Sequence, residues 1–255
     1  MNKKVFLTIG GSDPIGGAGI QADLKTADRL GLYGCSVITC ITAQNSCGVS
    51  AVTALDPSTI ERQLIAVLED LRPDAVKIGL IPDPKAITLV GKIVNSFKLT
   101  NIVLDPVLAP THGRQFLEQN MTETLLRELL PLVSILTPNL PEAEILTNIT
   151  RKPLESMCSA LLLKGGHQDS RDCEDILYLT QSEGNQRILK FSHPKLKTSN
   201  THGTGCVLSS AIASFLAYGN DLESAVRKSI DFVFKALVEG KDYTFGKCGY
   251  GPTLF

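Results

Sequence analysis

The amino-acid sequence predicts an α/β fold in which one mostly parallel sheet is covered by helices on both faces. Short apolar segments rich in β-branched residues alternate with longer segments whose apolar residues recur every three or four positions. The segment Cys35–Ile41 is almost continuously apolar, which is typical of a parallel strand buried on both faces. No low-complexity linker or shift in composition divides the chain, so we expect a single domain spanning residues 1–255.

The individual elements follow from local patterns. The predicted strands are Val5–Ile9, Cys35–Ile41, Ala75–Ile78, Asn101–Asp105, Val133–Thr137 and Leu161–Leu163, followed by a hairpin of Asp175–Leu179 and Arg187–Phe191. The predicted helices are Ala18–Leu30, a segment that begins at a capping box of Ser58 and Glu61, Pro84–Phe97, Thr122–Leu130, Gly203–Tyr218 and Leu222–Val238. In open sheets of this kind ligands bind beyond the carboxyl ends of the strands, where this sequence places its glycine-rich and polar loops.

Charge and hydropathy exclude several classes of function. The net charge is −1 and the charged residues are mixed along the chain, so a nucleic-acid partner is not expected. No apolar stretch is long enough to span a bilayer, and the run Val5–Ile9 is too short for a signal peptide. We therefore expect a cytoplasmic protein that does not bind membranes.

The seven cysteines predict neither a disulfide framework nor a structural zinc site. Their number is odd, and no Cys-x-x-Cys pair occurs. We expect reduced thiols, six of them acting as small buried packing residues. Cys206 is the exception, because of the segment in which it lies.

Gly203, Thr204, Gly205 and Cys206 precede a helix of small residues, which predicts an anion hole. Glycines allow close backbone approach to phosphate oxygens, and the helix dipole adds positive potential. A simple helix cap is an equally good explanation from the pattern alone. The helix start is expected to lower the pKa of Cys206, which could then accept a proton from a hydroxyl or hydrogen-bond to it. A covalent nucleophile with His202 as its base is a weaker alternative, and a buried packing thiol is another.

Residues near two other strand ends are candidates for substrate contact. The loop after the first strand departs from both the dinucleotide fingerprint and the Walker loop. Gly11 would allow close backbone approach, and Asp23 in the following helix could accept a hydrogen bond from a ligand. The amide of Gln44 offers a donor and an acceptor to the edge of a heterocycle. Ordinary loop polarity and a solvated helix carboxylate are the alternatives.

Three further strand ends carry groups suited to phosphate chemistry. Asp105 and Glu142 could hold Mg²⁺ directly or through water. Lys164 could place a compact positive charge on a phosphate. Glu142 could instead be a helix N-terminal acid, and Lys164 a solvent-exposed strand end.

Taken together, the motifs resemble the hydroxymethylpyrimidine/phosphomethylpyrimidine kinases of thiamine synthesis, within the ribokinase-like superfamily. The matching strings, in family order over nearly the whole chain, are Gly11–Lys25, Ala43–Asn45, Leu104–Val107, Thr137–Glu144, Leu163–His167 and Asn200–Cys206. The resemblance implies a three-layer α/β/α fold, a homodimer, and ATP with Mg²⁺ as co-substrates. It also implies two successive phosphorylations, first of the alcohol and then of its monophosphate.

The resemblance assigns expected roles to individual residues. Gln44 would recognise the pyrimidine with help from Asp23, the backbone near Gly11, and Leu80 in the hydrophobic part of the pocket. Cys206 would face the hydroxyl that is phosphorylated. The nucleotide-binding set would be Asn139, Glu142, Lys164, Thr201 and Gly203.

The chain departs from the family pattern at three places. Leu80 replaces a frequent methionine, the segment 108–113 differs from the usual sequence, and the stretch between Thr147 and Leu161 is shorter, as if a crossover helix were trimmed. Two alternative functions stay open: a pyridoxal kinase of the same superfamily, and a catalytically weak heterocycle-binding homologue. A Cys–His hydrolase ranks last.

Overall fold

The computed structural model describes residues 3–108, 119–165, 172–180, 185–243, 245–248 and 253. Within these ranges nine strands form one sheet in the order β3-β2-β1-β4-β5-β6-β7-β8-β9. The strands are β1 Val5–Ser12, β2 Tyr33–Asn45, β3 Gly48–Ala54, β4 Ala75–Ile78, β5 Ile102–Leu104, β6 Ile135–Leu136, β7 Ala160–Leu163, β8 Asp172–Thr180 and β9 Gln186–Pro194. The helices are α1 Gly19–Arg29, α2 Pro57–Asp70, α3 Pro84–Ser96, α4 Gln119–Glu128, α5 Leu140–Thr150, α6 Thr204–Ala217 and α7 Leu222–Gly240.

The centre of the sheet is parallel and its edges are antiparallel. β2, β1, β4, β5, β6 and β7 pair in parallel, β3 pairs antiparallel at one edge, and the β8–β9 hairpin pairs antiparallel at the other. Successive residues of the central strands point to opposite faces. Leu7 and Ile9 join one hydrophobic cluster with α2, α3, α4 and α5, while Phe6 joins a second cluster with α1, α6 and α7. The predicted three-layer α/β/α arrangement is confirmed.

The direction of the crossovers defines where a ligand site should form. From β1 the chain passes through α1 to β2 on one side of β1, and later returns through α2 to β4 on the other side. Loops that follow β1 and β4 therefore diverge to opposite faces and leave a crevice at the carboxyl ends of the strands.

Several local predictions about the fold are wrong. Helix α2 is capped by Asp56, which accepts from the Ser58 N–H, with Pro57 at the first helical position; the predicted capping box of Ser58 and Glu61 does not form. Strand β3 was not predicted, because none of its residues is buried, most are exposed, and they lack a clear alternation. The crossover from β6 to β7 contains the 11-residue helix α5, which ends at Thr150, and a 3-10 turn at Leu154–Ser156; the shorter length of the 147–161 stretch relative to the family stays a prediction.

Two cysteines depart from the prediction of reduced, buried thiols. Cys47, at the tip of the β2–β3 hairpin, forms a disulfide with Cys248 in the C-terminal segment. Both residues are exposed.

Among the helices of the described ranges, none combines the length and apolarity that crossing a bilayer would need.

Candidate active site

A cavity of about 730 Å³ opens at the carboxyl ends of the central strands. It lies in the crevice between the loops that follow β1 and β4, as the topology predicts. All but one of the predicted site residues line it, namely Gly11, Gln44, Leu80, Asp105, Asn139, Glu142, Lys164, Thr201, Gly203, Thr204, Gly205 and Cys206. The exception is Asp23.

The turn that begins α6 approaches two other parts of the site closely. Gly203 caps the helix with a left-handed φ of 83°, and a Cβ there would lie 1.8 Å from the carbonyl oxygen of Gly17. A Cβ on Gly205 would lie 3.2 Å from Nζ of Lys164 and 3.6 Å from Oδ2 of Asp105. The turn therefore presents helix N-terminal amides beside a lysine, an arrangement suited to binding an anion.

Lys164, Asp105 and Glu142 form an electrostatically coupled cluster beside this turn. Nζ of Lys164 donates to Oδ1 of Asp105 at 2.8 Å. Burial disfavours the ammonium, but the Asp105 and Glu142 carboxylates outweigh it and hold the pKa of Lys164 above its usual value. Burial, reinforced by the nearby Asp105 charge, raises the pKa of Glu142 to about 7.

Glu142 is also part of a helix cap. Its Oε2 accepts from the N–H of Asn139, and the Asn139 side chain accepts from the N–H of Glu142, which completes a capping box at the start of α5. The metal role and the helix-cap role predicted for Glu142 are thus compatible, because one carboxylate oxygen remains outside the cap.

The donors present fit Mg²⁺ that is held mainly by phosphate and water. Asp105 and Glu142 are hard oxygen ligands that line the same cavity. Within the described residues no three His, Cys, Asp or Glu side chains form a dedicated metal cage. Mg²⁺ in nucleotide sites typically uses one or two carboxylates together with phosphate oxygens, which is what these residues could supply.

Cys206 does not have the lowered pKa that its position in the first helical turn suggested. Burial raises the pKa of the Cys206 thiol to about 11; the ammonium of Lys77 opposes this shift, and the Asp23 and Asp105 carboxylates add to it. At neutral pH the side chain is therefore a protonated thiol. That prediction is wrong because desolvation exceeds the effect of the helix start.

The prediction that Asp23 contacts the substrate is also wrong. Its side chain is fully buried, and its oxygens accept from Thr8 (2.6 Å), Ser210 (2.7 Å) and Nζ of Lys77 (2.9 Å to each oxygen). Burial disfavours the ammonium of Lys77, but the neighbouring negative groups, led by the carboxylate of Asp23 and including that of Asp105, together outweigh it and hold the pKa of Lys77 above its usual value. Asp23 therefore orients Lys77 from behind the cavity lining.

Lys77 is a site residue that the sequence reasoning missed. It lies in the four-residue strand β4, whose members are all buried, and it also lines the cavity. A lysine inside a buried strand needs a charged partner, and that requirement was a signal available in the sequence. The carboxylate of Asp105 also acts electrostatically on its ammonium.

The heterocycle end of the cavity contains Gln44 and two residues that contact it. The Gln44 amide lies 2.9 Å from Nε2 of His202, which in turn lies 2.9 Å from Oδ2 of Asp13. Gly11 and Leu80 are adjacent, since a Cβ on Gly11 would lie 3.6 Å from the Leu80 side chain. The hydrolase alternative requires a thiolate nucleophile, whereas burial raises the pKa of Cys206 to about 11 and keeps the thiol protonated at neutral pH. In the altered segment 108–113, only Leu108 belongs to the described residues.

The sheet, the anion-binding turn and the lysine–carboxylate cluster together define an α/β phosphotransferase. The family model described as phosphomethylpyrimidine kinase matches residues 13–253, and the chain belongs to this family. The hydroxymethylpyrimidine/phosphomethylpyrimidine kinase of Salmonella typhimurium is 41% identical over 96% of this chain and 95% of its own length. That of Bacillus subtilis is 37% identical over 97% and 93%.

Solved structures show the same fold. The phosphomethylpyrimidine kinase of Clostridium difficile is 37% identical with a TM-score of 0.75, covering 92% of this chain and all of its own. An ADP complex of Bacillus subtilis pyridoxal kinase is 30% identical with a TM-score of 0.86, covering 99% of this chain and 97% of that one. The predicted resemblance and the ribokinase-like fold are confirmed.

Proposed function

We propose that this chain transfers the γ-phosphoryl group of ATP to the hydroxymethyl group of 4-amino-5-hydroxymethyl-2-methylpyrimidine and then to the resulting monophosphate, in thiamine synthesis. The observation that carries the proposal is the meeting, in one cavity, of the Gly203–Cys206 turn, the Lys164–Asp105 pair and the Gln44 amide. The first two suit a transferring phosphate, and the third suits a heterocycle.

The proposed chemistry is an in-line displacement. The hydroxymethyl oxygen forms a bond to the γ-phosphorus, the bond from phosphorus to the β–γ bridging oxygen breaks, and that electron pair leaves with ADP. Amides of the turn and the ammonium of Lys164 stabilise the negative charge of the transferring group. Mg²⁺ held by Asp105 and Glu142 would neutralise phosphate charge when bound.

The raised pKa of Cys206 supports a positioning role for the thiol. A thiol with a pKa of about 11 is a poor proton acceptor at neutral pH. In a loose transition state the hydroxyl proton is released late, so it can pass to the transferred phosphoryl oxygen or to water. The thiol then hydrogen-bonds to the hydroxymethyl oxygen and orients it.

Pyridoxal kinase is the second candidate, and a specific observation favours it. The pyridoxal kinase structure from Bacillus subtilis has a higher TM-score (0.86) than the pyrimidine kinase structure from Clostridium difficile (0.75). Sequence identity favours the pyrimidine, since it is 41% to the Salmonella typhimurium enzyme and 30% to that pyridoxal kinase. We rank the pyrimidine first because the substrate is selected by particular side chains rather than by the fold.

The proposal is tested by ADP release with each heterocycle, in the wild type and in Lys164→Met. We expect the wild type to turn over the pyrimidine in preference to pyridoxal. In Lys164→Met, turnover should fall by two orders of magnitude or more, since removing one transition-state donor costs about 10²–10³-fold. Lys152→Met is the matched control, because Lys152 is an exposed lysine away from the cavity. Preference for pyridoxal would overturn the substrate, and heterocycle binding without ADP release would favour a binding protein.

Location and assembly are also part of the proposal. The family resemblance supports a single kinase domain that acts as a homodimer in the cytoplasm. Sedimentation velocity of the purified chain tests the dimer, and a monomer at micromolar concentration would contradict it.

A further inference from the structure

Nε2 of His202 lies within hydrogen-bonding distance of two side chains. It is 2.9 Å from Oδ2 of Asp13 and 2.9 Å from the amide-nitrogen position of Gln44. A single imidazole nitrogen either carries a proton and donates, or lacks one and accepts. The contact with Asp13 therefore determines which group of Gln44 can face His202.

Asp13 is an ionised acceptor. Its Oδ2 accepts from the N–H groups of Gly17 (3.1 Å) and Ala18 (2.8 Å), and its Oδ1 accepts from the N–H of Ile15 (3.1 Å). Burial works against the charge, but the hydrogen bonds from His202 and the backbone outweigh it and hold the pKa of Asp13 below its usual value. Because the carboxylate has no proton to give, Nε2 of His202 must carry the proton that joins them.

The amide of Gln44 must then face His202 with its oxygen. An NH₂ group there would set two donors 2.9 Å apart with no acceptor between them. Turning the amide by half a revolution about its last bond puts Oε1 of Gln44 there instead, so the one Nε2–H of His202 is shared between Oδ2 of Asp13 and Oε1 of Gln44 as a bifurcated hydrogen bond.

The Thr42 hydroxyl favours the same orientation of the Gln44 amide. Its hydroxyl donates its one proton to the carbonyl oxygen of Ser12 at 2.9 Å. The same Oγ1 lies 3.5 Å from the amide-oxygen position of Gln44, where it has no second proton to offer. With the amide turned, Nε2 of Gln44 occupies that position and donates to Thr42.

We infer that Asp13 and His202 are positioning residues that fix Gln44 with its carbonyl oxygen toward His202 and its amide nitrogen toward Thr42, and thereby determine which heterocycle is accepted. This inference rests on the proposed function, since it concerns the substrate of that reaction. The backbone of His202 is itself held, because its carbonyl oxygen accepts from the N–H (3.0 Å) and hydroxyl (3.1 Å) of Thr253.

The fixed amide discriminates between rings by the group next to the hydroxymethyl substituent. Gln44, His202 and the Gly203–Cys206 turn line the same cavity. A ring whose hydroxymethyl group reaches the turn would present its neighbouring substituent to Oε1 of Gln44. In the 4-aminopyrimidine that substituent is an amino donor, and the next ring nitrogen accepts from Nε2. In pyridoxal it is a formyl oxygen, a second acceptor, which Oε1 repels.

Two expected results distinguish a Gln44 amide that is fixed by Asp13 and His202 from one that contacts the substrate in either orientation. Pyridoxine carries a hydroxymethyl group in place of the formyl group and can donate to Oε1, so it should be a better substrate than pyridoxal. An amide that was free to rotate would accept either ring, so releasing Gln44 should relax the preference.

The first test compares kcat/KM for the pyrimidine and pyridoxal in His202→Phe and His202→Gln. In His202→Phe the pyrimidine-to-pyridoxal ratio should fall by about tenfold, the contribution expected of one hydrogen bond. His202→Gln keeps an N–H donor and should restore most of the ratio, which a merely structural role would not require. An unchanged ratio in His202→Phe overturns the inference. If both substrates lose turnover, the ratio of their dissociation constants from calorimetry decides in the same way.

The second test needs no turnover. Nitrogen-15 NMR of the His202 ring in the wild type should show a proton on Nε2, and a ring protonated on Nδ1 alone would overturn the inference. A wild type without pyrimidine kinase activity but with protonated Nε2 would defeat the proposed function and leave the hydrogen-bond arrangement standing.

Discussion

Cys206 should act as a neutral thiol, and its charge state can be measured directly. With a pKa of about 11, about 3 in 10,000 molecules carry the thiolate at pH 7.5, compared with about one in ten for an ordinary cysteine of pKa 8.5. The roughly 300-fold smaller thiolate fraction is partly offset because a thiolate of higher pKa is more nucleophilic, so alkylation by iodoacetamide at pH 7.5 should be slower at Cys206 than at an ordinary accessible thiol by a factor of roughly 20. Cys206→Ser provides the background from the other free cysteines.

The same charge state predicts the catalytic effect of substitution. Cys206→Ser keeps a hydrogen-bonding group of similar shape, so kcat should fall by about tenfold or less. A general base would contribute about 10²–10⁴-fold, and its removal would show as a lost inflection in the pH–rate profile. The assay is ADP release from pH 6 to pH 10 in wild type, Cys206→Ser and Cys206→Ala. A wild-type inflection between pH 6 and 8.5 that disappears in both variants would refute the neutral-thiol account.

Three further predictions concern the support of the site. Lys77→Met should lower the free energy of unfolding in urea by about 3–5 kcal/mol, because it strands a buried carboxylate; adding Asp23→Asn should recover part of the loss, and an effect below about 1 kcal/mol would contradict the buried pair. Gly203→Ala should reduce ADP turnover far more than Gly219→Ala, since both have φ near +80° but only the first would place a Cβ 1.8 Å from a backbone oxygen; equal losses would show that the close approach is unimportant. Cys248→Ser should lower stability by about 2 kcal/mol, the low end for disulfides, because it releases only a terminal segment. Adding a reductant should lower the stability of the wild type by the same amount and leave that of Cys248→Ser unchanged. If reductant does not change the stability of the wild type, the predicted disulfide contribution is contradicted.

The parallel strands were predictable because burial on both faces leaves near-continuous apolar segments. Ala75–Ile78 coincides with β4, whose four residues are all buried. Cys35–Ile41 lies inside β2, but it is not buried on both faces as predicted, because Ile41 is exposed. Strand β3 escaped prediction because an edge strand with no buried residues carries no comparable pattern. Helix boundaries shifted by a few residues where a neighbouring cap was overlooked, as at Asp56.

The positions of the site residues were more predictable than their physical state. All but one of the residues predicted from strand ends and glycine turns line the cavity, because topology brings the carboxyl ends of parallel strands together. The burial of Asp23 and the raised pKa of Cys206 depend on tertiary packing that the local sequence does not encode. The disulfide joins residues with a sequence separation of 201, and connectivity of that kind cannot be deduced from cysteine spacing.

The central claim is that this chain phosphorylates the hydroxymethyl group of the pyrimidine, and the most direct measurement is the mass of the product formed with ATP and Mg²⁺. We predict a mass increase of one phosphoryl group at early times and of two at completion. Formation of the pyrimidine phosphate should require Lys164, and this product should form in preference to any pyridoxal phosphate when both heterocycles are present. An unmodified pyrimidine beside a phosphorylated pyridoxal would contradict the claim.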